Sequence, residues 1–196
     1  MFKRSSIRIT WWLSSRNIIS DKDSDIYQYG IQQLLTLLLN LISFLIIGFV
    51  FHAVVPTMLF ILFYATLRIY AGGYHASTPI RCYLFSNIMI IIFGILFNYL
   101  PMTYIGCNLF VLPCAVFIFF FSPIGSKNKP LDKSEKRHYW TKSTFILLVE
   151  IALYQVFMAI GFTTGVRSIT LSIGAVCFMM ILGCIYNKWH SKKLQQ

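Results

Sequence analysis

The chain has 196 residues, of which 57% are hydrophobic and only 12% are charged, and its mean hydropathy is +0.69. A soluble domain is nearer half apolar and about one quarter charged, so this composition excludes an ordinary soluble globular protein. Several apolar runs approach or exceed the roughly 20 residues that a helix needs to cross a bilayer. We therefore predict an all-α, polytopic integral membrane bundle that forms a single domain over residues 1–196.

The formal net charge is +11, and nucleic acid is one partner class for such basic chains. We exclude nucleic acid as the partner here because the charges lie on segments between apolar runs. The five cysteines and four histidines form no C-x-x-C motif and no His-rich cluster. The sequence therefore predicts no metal site and no cofactor.

The N-terminal region, residues 1–30, mixes aromatic, basic and apolar residues. Between residues 7 and 19, Trp11 and Trp12 alternate with Arg8 and Arg16. This pattern is typical of a helix that lies in the membrane interface, with Trp at headgroup depth and Arg toward anionic lipid. The alternative is a disordered basic tail, and we favour the interfacial helix.

The distribution of Lys and Arg predicts the orientation of the chain in the membrane. We place six apolar segments near residues 31–51, 54–70, 83–100, 103–122, 144–163 and 168–186. Sixteen of the 17 Lys and Arg residues lie in residues 1–30, 68–82, 123–143 and 187–196, and only Arg167 lies elsewhere. Cytoplasmic loops carry the excess of Lys and Arg, so we expect both termini and residues 68–82 in the cytoplasm.

Residues 68–82 contain a candidate nucleophile at the start of a predicted helix. Thr78-Pro79 reads as an N-cap followed by the first helical residue, since Pro lacks the N–H that a helix start leaves unpaired. Cys82 then occupies the fourth position of the helix, where the positive end of the dipole favours the thiolate. Arg81 adds a cation beside this sulfur.

His75 is the candidate base for this thiol. Gly72 and Gly73 can take backbone angles closed to other residues, so the chain can fold His75 back over the helix start. A thiol with a nearby imidazole is the pattern of nucleophilic catalysis. One His and one Cys seven residues apart also occur by chance, and the spacing alone is a weak signal.

Residues 123–143 form the longest polar stretch between apolar segments, and we predict a basic cytoplasmic loop there. Lys127 and Lys129 follow a Ser-Pro turn, which places them near the membrane face. The functional interpretation is a surface that grips an acidic peptide or positions lipid. The alternative is the ordinary positive charge of a cytoplasmic loop.

Glu150 lies inside the fifth apolar segment. An acid within a membrane span is costly and is a functional candidate by default, although a structural acid that snorkels to the surface is the competing interpretation. With the short second segment, Glu150 keeps another class of function open. That class is a transporter, exporter or scaffold without covalent catalysis.

The order of residues around the candidate nucleophile resembles the signature of the accessory gene regulator B family. These proteins are integral membrane cysteine endopeptidases of Gram-positive quorum sensing. The matching residues are Arg68, Gly72, Gly73, Tyr74, His75, Ala76 and Cys82. The similarity extends to Asp25-x-x-x-Tyr29-Gly30, Ser122-Pro123 and residues 127–131, and so it covers most of the chain.

The resemblance implies a specific chemistry. Family members cut the C-terminal tail from a small amphipathic pro-peptide with an acidic tail at the cytoplasmic membrane. By this resemblance Cys82 is the nucleophile and His75 the base, and the peptide is held as a thioester before it cyclises to a lactone or thiolactone. No third catalytic acid is implied.

The resemblance also assigns supporting roles and partners. Arg68 and Gly73 match positions that the family needs for activity, and Lys127 and Lys129 match a basic pair that meets the substrate. The implied partners are the pro-peptide, membrane lipids and a second copy of the chain in a homodimer.

Overall fold

A computed structural model describes residues 2–74, 78–125 and 132–193, and the side chains of all of these except 21 and 190–193. Every regular element within these ranges is helical. The α-helices are α1 Lys3–Ser15, α2 Ser24–Val50, α3 Val54–Ala71, α4 Pro79–Tyr99, α5 Tyr104–Phe121, α6 Lys133–Ala159 and α7 Thr163–Lys193. The helices α2 to α7 are long and apolar enough to cross a membrane. The prediction of a polytopic helical membrane protein is therefore confirmed.

The N-terminal helix exists, but α1 begins and ends about four residues earlier than the sequence predicted. Ser6 and Thr10 are buried, and α1 packs against α2. Trp11 and Trp12 are exposed on the protein surface, as side chains at headgroup depth would be. The position of α1 in the membrane interface stays a prediction.

The helix α7 lies at the centre of the bundle. It packs against α3, α5, α6 and α4. In its most apolar 18-residue stretch 61% of the residues are buried, against 6% in the corresponding stretch of α2. Ile169, Ile173, Val176 and Met180 are fully buried and recur every three or four residues along the helix. The large apolar side chains that remain exposed on α2 suit a lipid-facing outer helix.

The predicted basic loop at 123–143 is too long, and this is a correction. Residues 133–143 form the first three turns of α6, beyond the apolar part of that helix. Asp132 and Glu135 form a capping box: the Asp132 side chain accepts from the backbone N–H of Glu135, and the Glu135 side chain accepts from the backbone N–H of Asp132. Hydropathy identifies only the apolar part of a helix. The capping box and the helix-forming Lys, Arg and Glu residues that follow it start α6 before its apolar part.

Arg167 is the one Lys or Arg outside the predicted cytoplasmic segments, and it has a structural role at the C-terminal end of α4. Its guanidinium donates to the carbonyl oxygens of Phe97 and Leu100, the latter at 3.0 Å. It also lies 4.6 Å from the centre of the Phe97 ring. A cation at the C-terminal end of α4 satisfies carbonyls that the helix leaves unpaired.

Candidate active site

The segment after α3 turns sharply at the two glycines. Gly72 has φ +72° and Gly73 has φ +122°, both in the left-handed region that L-residues with side chains rarely adopt. Gly72 forms an isolated parallel bridge with Ile124, in which Gly73 N–H donates to Ile124 O at 3.1 Å and Ile124 N–H donates to Ala71 O at 3.0 Å. The chain thus leaves α3 held against the segment after α5.

The same turn lies directly on α7. Tyr74 N–H donates to Met179 O at 2.9 Å. A Cβ at Gly73 would lie 2.7 Å from Met179 O, and a Cβ at Gly183 would lie 2.7 Å from the carbonyl carbon of Gly73. Backbone meets backbone here without intervening side chains, and Gly183 on α7 makes that close approach possible.

Arg68 braces the turn from the last turn of α3. Its two terminal nitrogens donate to the carbonyl oxygens of Gly72 and Tyr74. A planar guanidinium spans two acceptors in a fixed geometry. Arg68 therefore determines the path of the chain immediately before residue 75.

The start of α4 has the cap that the sequence predicted. The side chain of Thr78 accepts from Arg81 N–H at 3.3 Å, Cys82 N–H donates to Thr78 O at 3.0 Å, and Pro79 is the first helical residue. Cys82 is the fourth residue of the helix. All five cysteines lie in the described ranges, and Cys82 alone among them is exposed.

A cavity of about 310 Å³ opens beside Cys82, and it is bounded by α2, α3, α4 and α7. Arg68 and Tyr74 lie on its wall with Cys82, so the Arg68 side chain, the end of the glycine turn and the thiol line the same cavity. The Tyr74 ring is held between Phe85 and Tyr186, with ring centres 5.8 and 5.2 Å away. The thiol thus faces a space that a substrate side chain can enter.

Comparison with known proteins identifies the family of the chain. The sequence model of the family described as Accessory gene regulator B matches residues 6–182, nearly the whole chain. The chain belongs to the accessory gene regulator B family. An AgrB-like protein of Clostridium perfringens strain SM101 is 29% identical over 186 residues, with 88% of this chain and 86% of the relative covered. A second from strain 13 is 30% identical over 170 residues and covers 79% of each chain.

No solved structure matches the chain. Membership of the AgrB family supports a role in accessory gene regulation, the quorum-sensing system for which the family is named. The match and the six apolar helices together make the chain a multi-pass membrane protein of that system.

The structure brings together part of the AgrB-like signature. Gly72 and Gly73 form the turn, Arg68 bonds to it, and Arg68 and Cys82 line the same cavity. Arg81 is exposed one residue before the thiol. His75 lies outside the described residues, and its distance to Cys82 stays a prediction.

Lys127 and Lys129 also lie outside the described residues. The residues before and after them are described. Gly125 O accepts from Asn187 Nδ2 of α7 at 2.9 Å, and Asp132 is the N-cap of α6. The stretch that carries the two lysines therefore starts one residue after Ile124, the partner of the glycine turn.

Glu150 is buried between α3 and α6 and does not snorkel to the surface. Thr66 Oγ1 donates to its Oε1 at 3.2 Å, while Oε2 is buried without a partner among the described residues. Glu150 is not on the wall of the cavity beside Cys82.

Sequence reasoning missed Ile124, Met179, Gly183 and Asn40, which build the turn and the cavity. Gly183 offered a weak signal, since a glycine in an apolar helix often marks a close backbone approach. The other three are ordinary residues of their segments, and their roles follow from tertiary contacts alone.

Proposed function

We propose that this AgrB family member is a membrane-embedded cysteine endopeptidase that removes the C-terminal tail of a quorum-sensing pro-peptide. The observation that carries the proposal is the position of Cys82. The thiol is exposed at a capped helix start and lines a cavity with Arg68 and with Tyr74, the residue before His75. The candidate nucleophile and a space for substrate thus lie together, which supports a site that His75 completes as the base.

In the first step, Cys82 Sγ attacks the carbonyl carbon at the junction between the peptide and its tail. His75 takes the thiol proton and delivers it to the leaving amine as the C–N bond breaks. The tail departs with a free amine, and the remaining peptide is a thioester on Cys82. Of the first four helical residues, Pro79 has no N–H and Thr78 holds those of Arg81 and Cys82, so the Ile80 amide is the candidate oxyanion donor.

In the second step, a Cys or Ser side chain within the bound peptide attacks the thioester carbonyl. A thiolactone or lactone ring forms, and the Cys82 sulfur leaves and regains a proton. Because one thioester replaces another in the thiolactone case, the exchange is nearly balanced. The location of the thioester beside a mostly apolar cavity limits hydrolysis by water.

The acidic tail of the substrate meets the basic residues between α5 and α6. Lys127 and Lys129 follow directly on the segment that pairs with the glycine turn. A cleft of about 410 Å³ lies between the end of α5 and the start of α6, and its basic residues are Lys133, Lys136 and Arg137. Positive charge between α5 and α6 attracts the acidic tail, so the apolar part of the peptide is directed toward Cys82.

The orientation and assembly belong to the same proposal. Both termini and the active site face the cytoplasm, because 16 of the 17 Lys and Arg residues lie on that side. A cytoplasmic thiol also stays reduced, as a nucleophile must. The partners are the pro-peptide, membrane lipids and a second copy of the chain in a homodimer, which cross-linking in membranes tests.

Cleavage assays with cysteine variants test the proposed function. Cys82→Ala abolishes cleavage of an amphipathic pro-peptide substrate, while Cys184→Ala, at a half-buried cysteine, retains it. His75→Ala gives the same loss as Cys82→Ala. An inserted, folded Cys82→Ala protein that still cuts its peptide overturns the proposal.

A transporter or scaffold without covalent chemistry is the second candidate, and Glu150 is the observation that favours it. A buried carboxyl with an unpaired oxygen in an apolar helix is a feature of ion and proton pathways. Glu150→Gln separates the two functions: a peptidase keeps its cleavage rate, and a proton-coupled transporter loses its activity.

A further inference from the structure

The cavity beside Cys82 has an uneven distribution of polar groups. Most of its wall is apolar, and it extends along α4 from Cys82 to Ile90, which is two helical turns or about 12 Å. The polar side chains on the wall are few. They are Asn40, Tyr64, Arg68, Tyr74, Cys82 and Ser86.

Asn40 is the polar residue that α2 contributes to this wall. Its Nδ2 donates to Thr36 O at 2.9 Å, whereas its Oδ1 is buried and has no partner in the part of the chain that the structure describes. A buried acceptor without a donor costs about 1–3 kcal/mol, and because Asn40 is a wall residue of the cavity, a ligand that enters the cavity can supply that donor.

The position of Asn40 relative to the thiol is fixed by a contact between α2 and α4. The hydroxyls of Ser43 and Tyr83 lie 2.8 Å apart, and Tyr83 follows Cys82 directly. Asn40 precedes Ser43 by three residues and so lies on the same face of α2. The unused acceptor and the candidate nucleophile therefore belong to the same part of the cavity.

We propose that this cavity is the subsite for the side chain of the residue whose carbonyl Cys82 attacks, and that it selects a large apolar side chain there. Asn40 is a positioning residue: its Oδ1 accepts a hydrogen bond from a backbone N–H of the same peptide segment. The inference rests on the proposed function, because it takes Cys82 as the nucleophile.

Size and chemistry favour a peptide residue over a lipid chain as the occupant. A volume of about 310 Å³ lies at the lower end of small-ligand sites and suits one or two side chains. A lipid acyl chain leaves the Asn40 acceptor unpaired, whereas a peptide brings an N–H donor with its side chain. Phe60 and Ile90 on its wall are almost fully buried, so a charged side chain beside them loses its hydration. Arg68 is the cation on the same wall, but its two terminal nitrogens already donate to the carbonyls of Gly72 and Tyr74.

The test uses tripeptide chloromethyl ketones that end in Leu or in Asp, and it uses iodoacetamide as the small reagent. With each reagent the Cys82 sulfur displaces the halide, and mass spectrometry of the Cys82 peptide gives the rate in the full-length protein in nanodiscs. We expect the Leu reagent to react faster than the Asp reagent by about tenfold or more.

Two variants on α4 separate the cavity from general partition of apolar reagents into the membrane. Met89→Trp fills the cavity, while Ile88→Trp places the same side chain on the exposed face one residue away. The apolar preference falls to near unity in Met89→Trp and persists in Ile88→Trp, and iodoacetamide reacts equally with both. Ala65→Leu fills the cavity from α3 and repeats the test if Met89→Trp does not fold.

The role of Asn40 has its own readout. Asn40→Leu removes the acceptor and keeps the volume, so both peptide reagents slow by about five- to tenfold while the iodoacetamide rate is unchanged. Equal rates for the peptide reagents in wild type and in Asn40→Leu overturn this role.

Failure of the subsite is distinguishable from failure of the proposed function. If iodoacetamide singles out Cys82 but the Leu preference survives in both cavity-filling variants, the subsite is wrong and the nucleophile stands. If Cys82 reacts no faster than Cys184 with iodoacetamide, the proposed function fails, and the subsite fails with it.

Discussion

Gly73 occupies a position where the backbone leaves no room for a side chain. Its φ of +122° and the 2.7 Å approach of a hypothetical Cβ to Met179 O both oppose any larger residue. We expect Gly73→Ala to destabilise the turn by about 1–3 kcal/mol and to lower pro-peptide cleavage at least tenfold, while membrane insertion is unchanged. Cleavage and insertion are measured on the same membranes.

Gly161→Ala is the matched control for that change. Gly161 also has positive φ, at +73°, but no atom of the described residues lies within 4 Å of the added Cβ, and the residue is between α6 and α7. It carries the backbone strain without the clash at the turn. If both variants lose cleavage equally, the contact of Gly73 with α7 is not what the site requires.

Arg68 tests whether the geometry of the brace matters in addition to its charge. Arg68→Lys keeps the cation but loses the planar guanidinium that donates to two carbonyls, so we expect the rate of cleavage to fall at least tenfold. Arg16→Lys, on the exposed surface after α1, is the control and retains activity. A fully active Arg68→Lys protein contradicts the assigned role.

At the level of single residues, the sequence predicted Cys82 and its helix-start position, and the structure has the expected Thr78 cap. It also predicted the special backbone angles of Gly72 and Gly73, but not which groups the turn and Arg68 contact. The partners of the turn are backbone carbonyls of Ile124 and Met179, which are distant in the chain and carry no local signal.

Among the elements, the junction between α5 and α6 carries the charge that the proposed function uses. We expect the double change Lys127→Ala with Lys129→Ala to raise KM for the pro-peptide more than it lowers kcat. High salt reproduces this loss, because exposed charges are screened within about 10 Å at 0.1 M ionic strength. Cleavage kinetics at several salt concentrations give both quantities.

The matched control changes the same number of charges on another element. Lys3→Ala with Arg4→Ala removes two cations from α1, and its KM stays at the wild-type value. A wild-type protein without salt dependence, or an equal effect of the two double variants, removes the role of this basic surface.

Element boundaries show where sequence reasoning was weakest. The start of α4 was predicted from Thr78-Pro79 because capping chemistry is local. The start of α6 was placed too late because only its apolar part resembles a membrane segment, although Asp132 and Glu135 form a capping box. Cap signals are therefore better guides than hydropathy where a helix leaves the membrane.

For the whole molecule, the orientation follows from charge and is open to a labelling test. We expect a membrane-impermeant thiol reagent, added to intact cells, to label Thr163→Cys at the start of α7 and to spare Cys82. Inverted vesicles give the opposite pattern. Labelling of Cys82 from outside intact cells contradicts the cytoplasmic site.

The bundle itself was predictable in class but not in arrangement. Apolar run length and composition identified six membrane helices, because burial in lipid constrains every span in the same way. That α7 is the central helix, and that the cavity forms between α2, α3, α4 and α7, depends on packing among helices of similar composition.

The central claim is that Cys82 carries the peptide as a thioester, and intact-mass spectrometry measures this most directly. Wild-type protein quenched in acid during turnover of its pro-peptide is expected to gain the mass of the tail-free peptide less one water, and digestion is expected to place this mass on the Cys82 fragment. Neutral hydroxylamine releases this mass, and Cys82→Ala never gains it. Cleavage that proceeds in wild type with no hydroxylamine-sensitive adduct on Cys82, or with the adduct on another cysteine, contradicts the account.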